Sequence, residues 1–140
     1  MPEGPSAGGP PLGGPQTRLL ECTFLIPVVG NRDRKPHRDL HWRSLQNALR
    51  RAFGGCTGPE NVFMYVNEAL VSGEYTEAAT GTVIPDESRK YTVAVPADRV
   101  DELRAILRKA ANTFDQLAMY LSVQGEVEFV EGREQDGYLE

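Results

Sequence analysis

An α+β domain, one antiparallel sheet with two helices on one side, is what this sequence predicts, and three observations predict it. Segments of period two alternate with segments of helical period. Their order is strand, helix, hairpin, helix, strand, with one added strand at the C-terminal end. Gly or Pro punctuates the boundaries between them. With 140 residues, 40% of them hydrophobic, the chain is long enough to build one compact core.

From Thr17 to Val29 the even positions Leu20, Cys22, Phe24, Ile26 and Val28 are apolar, which is the pattern of a strand with one buried face. Pro27 and Gly30 end it, and "GNRDRKP" follows as an exposed basic loop. Pro36 is expected to open the first helix, with Asn31 or Asp33 ahead of it as a cap. His41, Leu45, Ala48, Leu49, Ala52 and Phe53 then fall on one side, and Gly54-Gly55 is the stop. "VFMYV" reads as a short strand or sheet edge, and "ALVSGEYTE" with "AATGTVIP" as a hairpin arm turning at Thr80-Gly81. In "SRKYTVAVP", Tyr91, Val93 and Val95 share one face of a strand. Asp98 is the expected cap of a second helix, whose stripe is Val100, Leu103, Ile106, Leu107, Ala110, Ala111 and Phe114. "LAMYLSVQGEVEFVE" reads as two strands. A two-residue loop would set Leu121 opposite Glu128, so a three-residue loop is expected, pairing Leu121 with Val127 and Met119 with Phe129, with Glu126 and Glu128 facing solvent.

This order makes two split βαβ units, the ferredoxin-like plait β-α-β-β-α-β with an added C-terminal strand. The expected organisation is a disordered Pro/Gly-rich tail over 1–16, a single domain over 17–132 and an acidic tail over 133–140. The uncovered sheet face, with Tyr65, Tyr91 and Tyr120 as candidates to line it, is an expected platform for pairing into a homo-oligomer. "FGGCT", "GEY", "TGTVIPDESRKYTVAVP" and "FDQLAMYL" resemble a loose group of small, uncharacterised bacterial proteins of ferredoxin-like type, over about Leu19 to Val130. The resemblance implies the fold and carries over no catalytic residue. The inserted "PENVFMYVN" departs from that group at the sheet edge.

Function is read from charge and from missing motifs. Arg32 to Arg51 holds seven Lys/Arg and two Asp, whereas Asp115 to Glu140 holds seven acids and one Arg. Arg32, Arg34, Lys35 and Arg38 cluster at a helix start, where free N–H groups favour an anion, and Trp42 stands beside them, so these five are the candidate contacts for an anionic partner. His37 and His41, one helical turn apart, with Asp33 as a third group and Glu68 or Asp86 from the hairpin, are the candidate metal ligands. No GxSxG, P-loop or GxGxxG occurs, and neither Cys22 nor Cys56 has a neighbouring histidine, so both are expected as free thiols. No cofactor is implied. A net charge of -5 with Trp42 as the lone tryptophan argues against nucleic acid, and the absence of a long apolar run argues against a membrane span and for the cytoplasm. The leading expectation is a non-enzymatic binding or regulatory module that meets an anionic partner through residues 32–51. The alternatives are a small dimeric α/β-barrel-like enzyme with a histidine-lined pocket, and a structural subunit of a larger assembly.

Overall fold

The computed structural model describes residues 18–67 and 83–140, with side chains over 18–63 and 87–140. The tail over 1–16, the turn at Thr80-Gly81 and the side chains of Tyr65, Glu68 and Asp86 lie outside the described residues. Among the described residues the chain runs β1 (Leu19–Pro27), α1 (Asp39–Phe53), β2 (Thr57–Asn67), β3 (Val83–Pro96), α2 (Val100–Thr113), β4 (Ala118–Val123) and β5 (Glu126–Glu131). The five strands form one antiparallel sheet in the order β2-β3-β1-β4-β5. No helix among them is long and apolar enough to cross a membrane.

Strand alternation sends Leu20, Cys22, Phe24 and Ile26 of β1 to one face, where they meet Tyr91, Val93 and Val95 of β3 and Leu121 of β4 in register. Leu45 and Leu49 of α1, and Leu103, Leu107, Ala110 and Ala111 of α2, close over that face into a single buried cluster. Tyr91 therefore belongs to the core and is stacked on Phe24 at 5.4 Å, while Tyr120 stays on the open face against Phe129. Cys22 and Cys56 are both free thiols.

Three local expectations are corrected. The first helix begins at Asp39, not at Pro36, with Arg38 as its cap residue and no side chain capping it. Pro36 instead bridges back to Val29, and Asp33 spends its carboxylate on the Lys35 N–H at 3.0 Å. At the second helix, a 3-10 turn over Ala97–Arg99 precedes α2, and Asp98 makes no cap; Arg99 reaches forward to Glu102 at 2.8 Å. The β4–β5 hairpin takes the two-residue loop, with Gln124 and Gly125 both at positive φ, and it pairs Leu121 with Glu128 and Met119 with Val130. What makes a glutamate acceptable there is Arg104 of α2, whose Nε and Nη2 meet the Glu128 carboxylate at 2.8 and 2.9 Å. Phe129 and Val127 are consequently turned to the open face and remain exposed.

Residues 133–140 lie along α2. The Asn112 side-chain amide donates to the carbonyls of Arg133 and Gly137, and the Thr113 hydroxyl accepts the Leu139 N–H.

Candidate functional site

The loop between β1 and α1 is closed on itself and tied to the end of α2. Gly30 N–H donates to the Lys35 carbonyl and Arg34 N–H to the Gly30 carbonyl, which holds Arg34 at a φ of 57°. Asp115, just past α2, accepts the Arg32 backbone N–H at 2.8 Å and its Nε at 2.7 Å, while Gln116 donates to the Val29 carbonyl at 3.0 Å. Burial works against the Asp115 charge, but the bonds from Arg32 and from the Asp33 backbone outweigh it and hold its carboxyl below the usual range. Of the candidate anion contacts, Arg32 is thus already paired. Arg34, Lys35 and Arg38 are exposed, with no carboxylate in ion-pair range among the described residues. Asp115→Asn is expected to cost about 1 kcal/mol once solvent screening is allowed for. It should also speed amide exchange at Arg32; unchanged exchange would show that the loop holds itself.

His37 precedes the helix, so it and His41 do not share a helical face as expected. The His37 Nε2–H donates to the Pro27 carbonyl at 2.8 Å, and its ring stands edge-on to Phe114 at 4.9 Å and to Trp42 at 5.5 Å. His41 is also half-buried against Phe114, with its Nδ1 buried and unpartnered. Among the described residues no three His, Cys, Asp or Glu side chains come together to hold an ion. His37 already bonds a carbonyl and Asp33 its own loop.

Burial pushes the His37 imidazole below its ordinary value, and the nearby His41 adds to this, against the opposing pull of the Pro27 carbonyl, Asp33 and Asp115. As pH falls below about 6.5 the unfolded chain takes up this proton and the folded chain resists, so stability declines through that window. The lowered carboxyl groups Asp115, Glu102 and Glu128 act only at more acid pH. The urea midpoint should therefore drop between pH 7 and pH 5 in the native chain and drop less in His37→Gln. Equal drops would assign the pH dependence elsewhere.

On the other side of Trp42, β3 brings a second set of groups under α1. The Arg89 guanidinium lies over the Trp42 ring, 4.1 Å from its centroid. Two residues along the same strand face, the Tyr91 hydroxyl is buried and finds no hydrogen-bond partner among the described residues. Burial raises the Tyr91 hydroxyl above its ordinary pKa, and the facing Gln46 and Arg89 side chains oppose that rise without coming into bonding geometry. Arg32, Arg99 and Arg104 each hold a carboxylate, whereas Arg89 has none in ion-pair range among the described residues. A guanidinium clamped by a ring, an orphaned buried hydroxyl and a primary amide converge on one spot beside the basic loop. Such a set can receive a planar anion, donating from two or three directions. Of its members the sequence reading singled out Trp42, as a contact, and Tyr91, on the opposite sheet face; Arg89 and Gln46 were passed over. The signal for Arg89 was present, because it shares the parity of Tyr91, Val93 and Val95 and so belongs to the core-facing side of β3.

No family model and no curated relative matches the chain. Among solved structures, a phage SAM lyase in complex with S-methyl-5'-thioadenosine is similar, with a TM-score of 0.55 at 12% identity over 87% of this chain and 92% of that one. At that identity the likeness is one of fold. It nevertheless corrects the expectation of a non-enzymatic binding or regulatory module. That expectation rested on the absence of a catalytic motif, and a chain of this architecture carries lyase activity in the phage protein.

Proposed function

We propose that the chain is a ferredoxin-like plait extended by one strand, and that it is a lyase-type enzyme acting on an adenosyl sulfonium substrate. The observation that carries this reading is the fold likeness to the phage SAM lyase, which extends over nearly the whole of both chains. The element order and the sheet order β2-β3-β1-β4 of the first four strands support the plait, with β5 added beyond β4.

Sulfonium chemistry also accounts for what the sequence lacks. S-adenosylmethionine differs from S-methyl-5'-thioadenosine by its amino-acid arm. Losing that arm without water breaks one carbon–sulfur bond as an oxygen of the arm's own carboxylate bonds to the released carbon, so the arm leaves as a lactone, and the electron pair stays on sulfur, which becomes a neutral thioether. The positive sulfur is already a good leaving group, so the protein has to bind, orient and exclude competing water rather than supply an activated serine or cysteine. Arg89 over Trp42, with Gln46 and Tyr91 facing it, offers hydrogen-bond donors beside α1.

The test is to incubate the protein with S-adenosylmethionine and follow S-methyl-5'-thioadenosine by chromatography. Product formed in proportion to protein, above spontaneous decay, is the expected result. Absence of both turnover and binding of the thioether would overturn the reading.

A further inference from the structure

We infer that Arg89, stacked on Trp42 and flanked by Gln46 and the buried Tyr91 hydroxyl, forms a carboxylate-binding site between α1 and β3. Assigning that carboxylate to the amino-acid arm of an adenosyl substrate rests on the function proposed above; the site itself rests on geometry. The Trp42 ring, 4.1 Å away, holds the guanidinium by one face, and no carboxylate lies in ion-pair range of it among the described residues. A carboxylate matches such an edge with two parallel bonds. Tyr91 is fully buried and its hydroxyl has no partner, an arrangement that a folded chain rarely keeps unless another molecule completes it. Arg89 is itself half-exposed. Arg104 gives the contrast within the same fold, its guanidinium taken up by Glu128 and Asp101.

Trp42 is the single tryptophan of the chain, so its fluorescence reports on this cleft directly. Three probes separate the two proposals: S-adenosylhomocysteine, which has nucleoside and carboxylate; S-methyl-5'-thioadenosine, which has the nucleoside alone; and L-methionine, which has the amino-acid arm alone. In the native protein S-adenosylhomocysteine is expected to bind about tenfold or more tightly than S-methyl-5'-thioadenosine, the factor a charge-assisted pair supplies. Arg89→Met should erase that difference, and Tyr91→Phe should narrow it. Arg89→Lys keeps the charge but loses the two-pronged geometry, so it should fall between, and it guards against a variant that fails to fold.

If both nucleosides bind and neither Arg89 variant changes their ratio, the carboxylate site is overturned and the proposed function stands. If neither nucleoside binds but L-methionine shifts Trp42 emission in an Arg89-dependent way, the site stands and the adenosyl reading falls. No response to any probe overturns both.

Discussion

Replacing Phe114 with alanine is expected to cost about 3–5 kcal/mol, the range for deleting a buried aromatic side chain. Phe114 is fully buried at the end of α2, and its ring meets Trp42 at 4.7 Å, His37 at 4.9 Å and His41 at 5.9 Å. No other described aromatic ring joins the end of α2 to both histidines and to the tryptophan, so the cavity would open where the loop, α1 and α2 converge. The loss should spread beyond packing, because Asp115 and Gln116 follow directly and hold the basic loop. Urea unfolding followed by Trp42 fluorescence measures the cost, and the native emission maximum measures how wet the indole becomes. A cost below about 1 kcal/mol would mean that the histidine and tryptophan rings close over the gap by themselves.

Tyr91→Phe is expected to act in the opposite direction. Tyrosine to phenylalanine in a core usually removes a hydrogen bond and weakens the fold. Here the hydroxyl has no partner, so its removal takes away only an unmet desolvation penalty, about 1–3 kcal/mol for a buried polar group. The stack on Phe24, with planes 16° apart, is preserved by the isosteric ring. The ligand-free variant should therefore unfold at a higher urea concentration than the native chain. A midpoint lowered by more than the equivalent of about 1 kcal/mol would show that the hydroxyl is satisfied in solution. A gain in stability, joined to weaker carboxylate binding, would mark Tyr91 as a group kept for a ligand at the expense of the fold.

Periodicity carried much of the architecture. Leu20 to Ile26 and Tyr91 to Val95 alternate because a pleated strand sends successive side chains to opposite faces, and the core-facing sets were legible without any tertiary knowledge. The stripe of α2 was legible for the same reason: Val100, Leu103, Leu107, Ala110, Ala111 and Phe114 are all buried, with Ile106 at the margin. The register of β4 on β5 was not. Glutamates read as solvent-facing from composition, and only the approach of Arg104 from α2, 24 positions away, makes Glu128 acceptable on the helix side. The start of α1 was misplaced for a related reason. Pro36 and Asp33 have the chemistry of a helix opening, but Asp115, 83 positions beyond Arg32, and the Val29–Pro36 bridge hold the loop extended until Asp39.

The candidate site divides along the same line. Trp42 and the basic loop were visible as residues, yet the loop's first arginine proved to be bound internally, and the histidines were separated by the late helix start. Arg89 looked like an ordinary member of a strand, and Tyr91 was expected on the open face of the sheet rather than in the core. What the sequence by itself determined are the faces of its strands and helices, because those follow from bond geometry within a few residues. The tertiary structure alone decided which charges are neutralised and which polar groups are left unpaired. Both depend on distances between segments far apart in the chain, and the proposed carboxylate site rests on two groups so left, Arg89 over Trp42 and the Tyr91 hydroxyl.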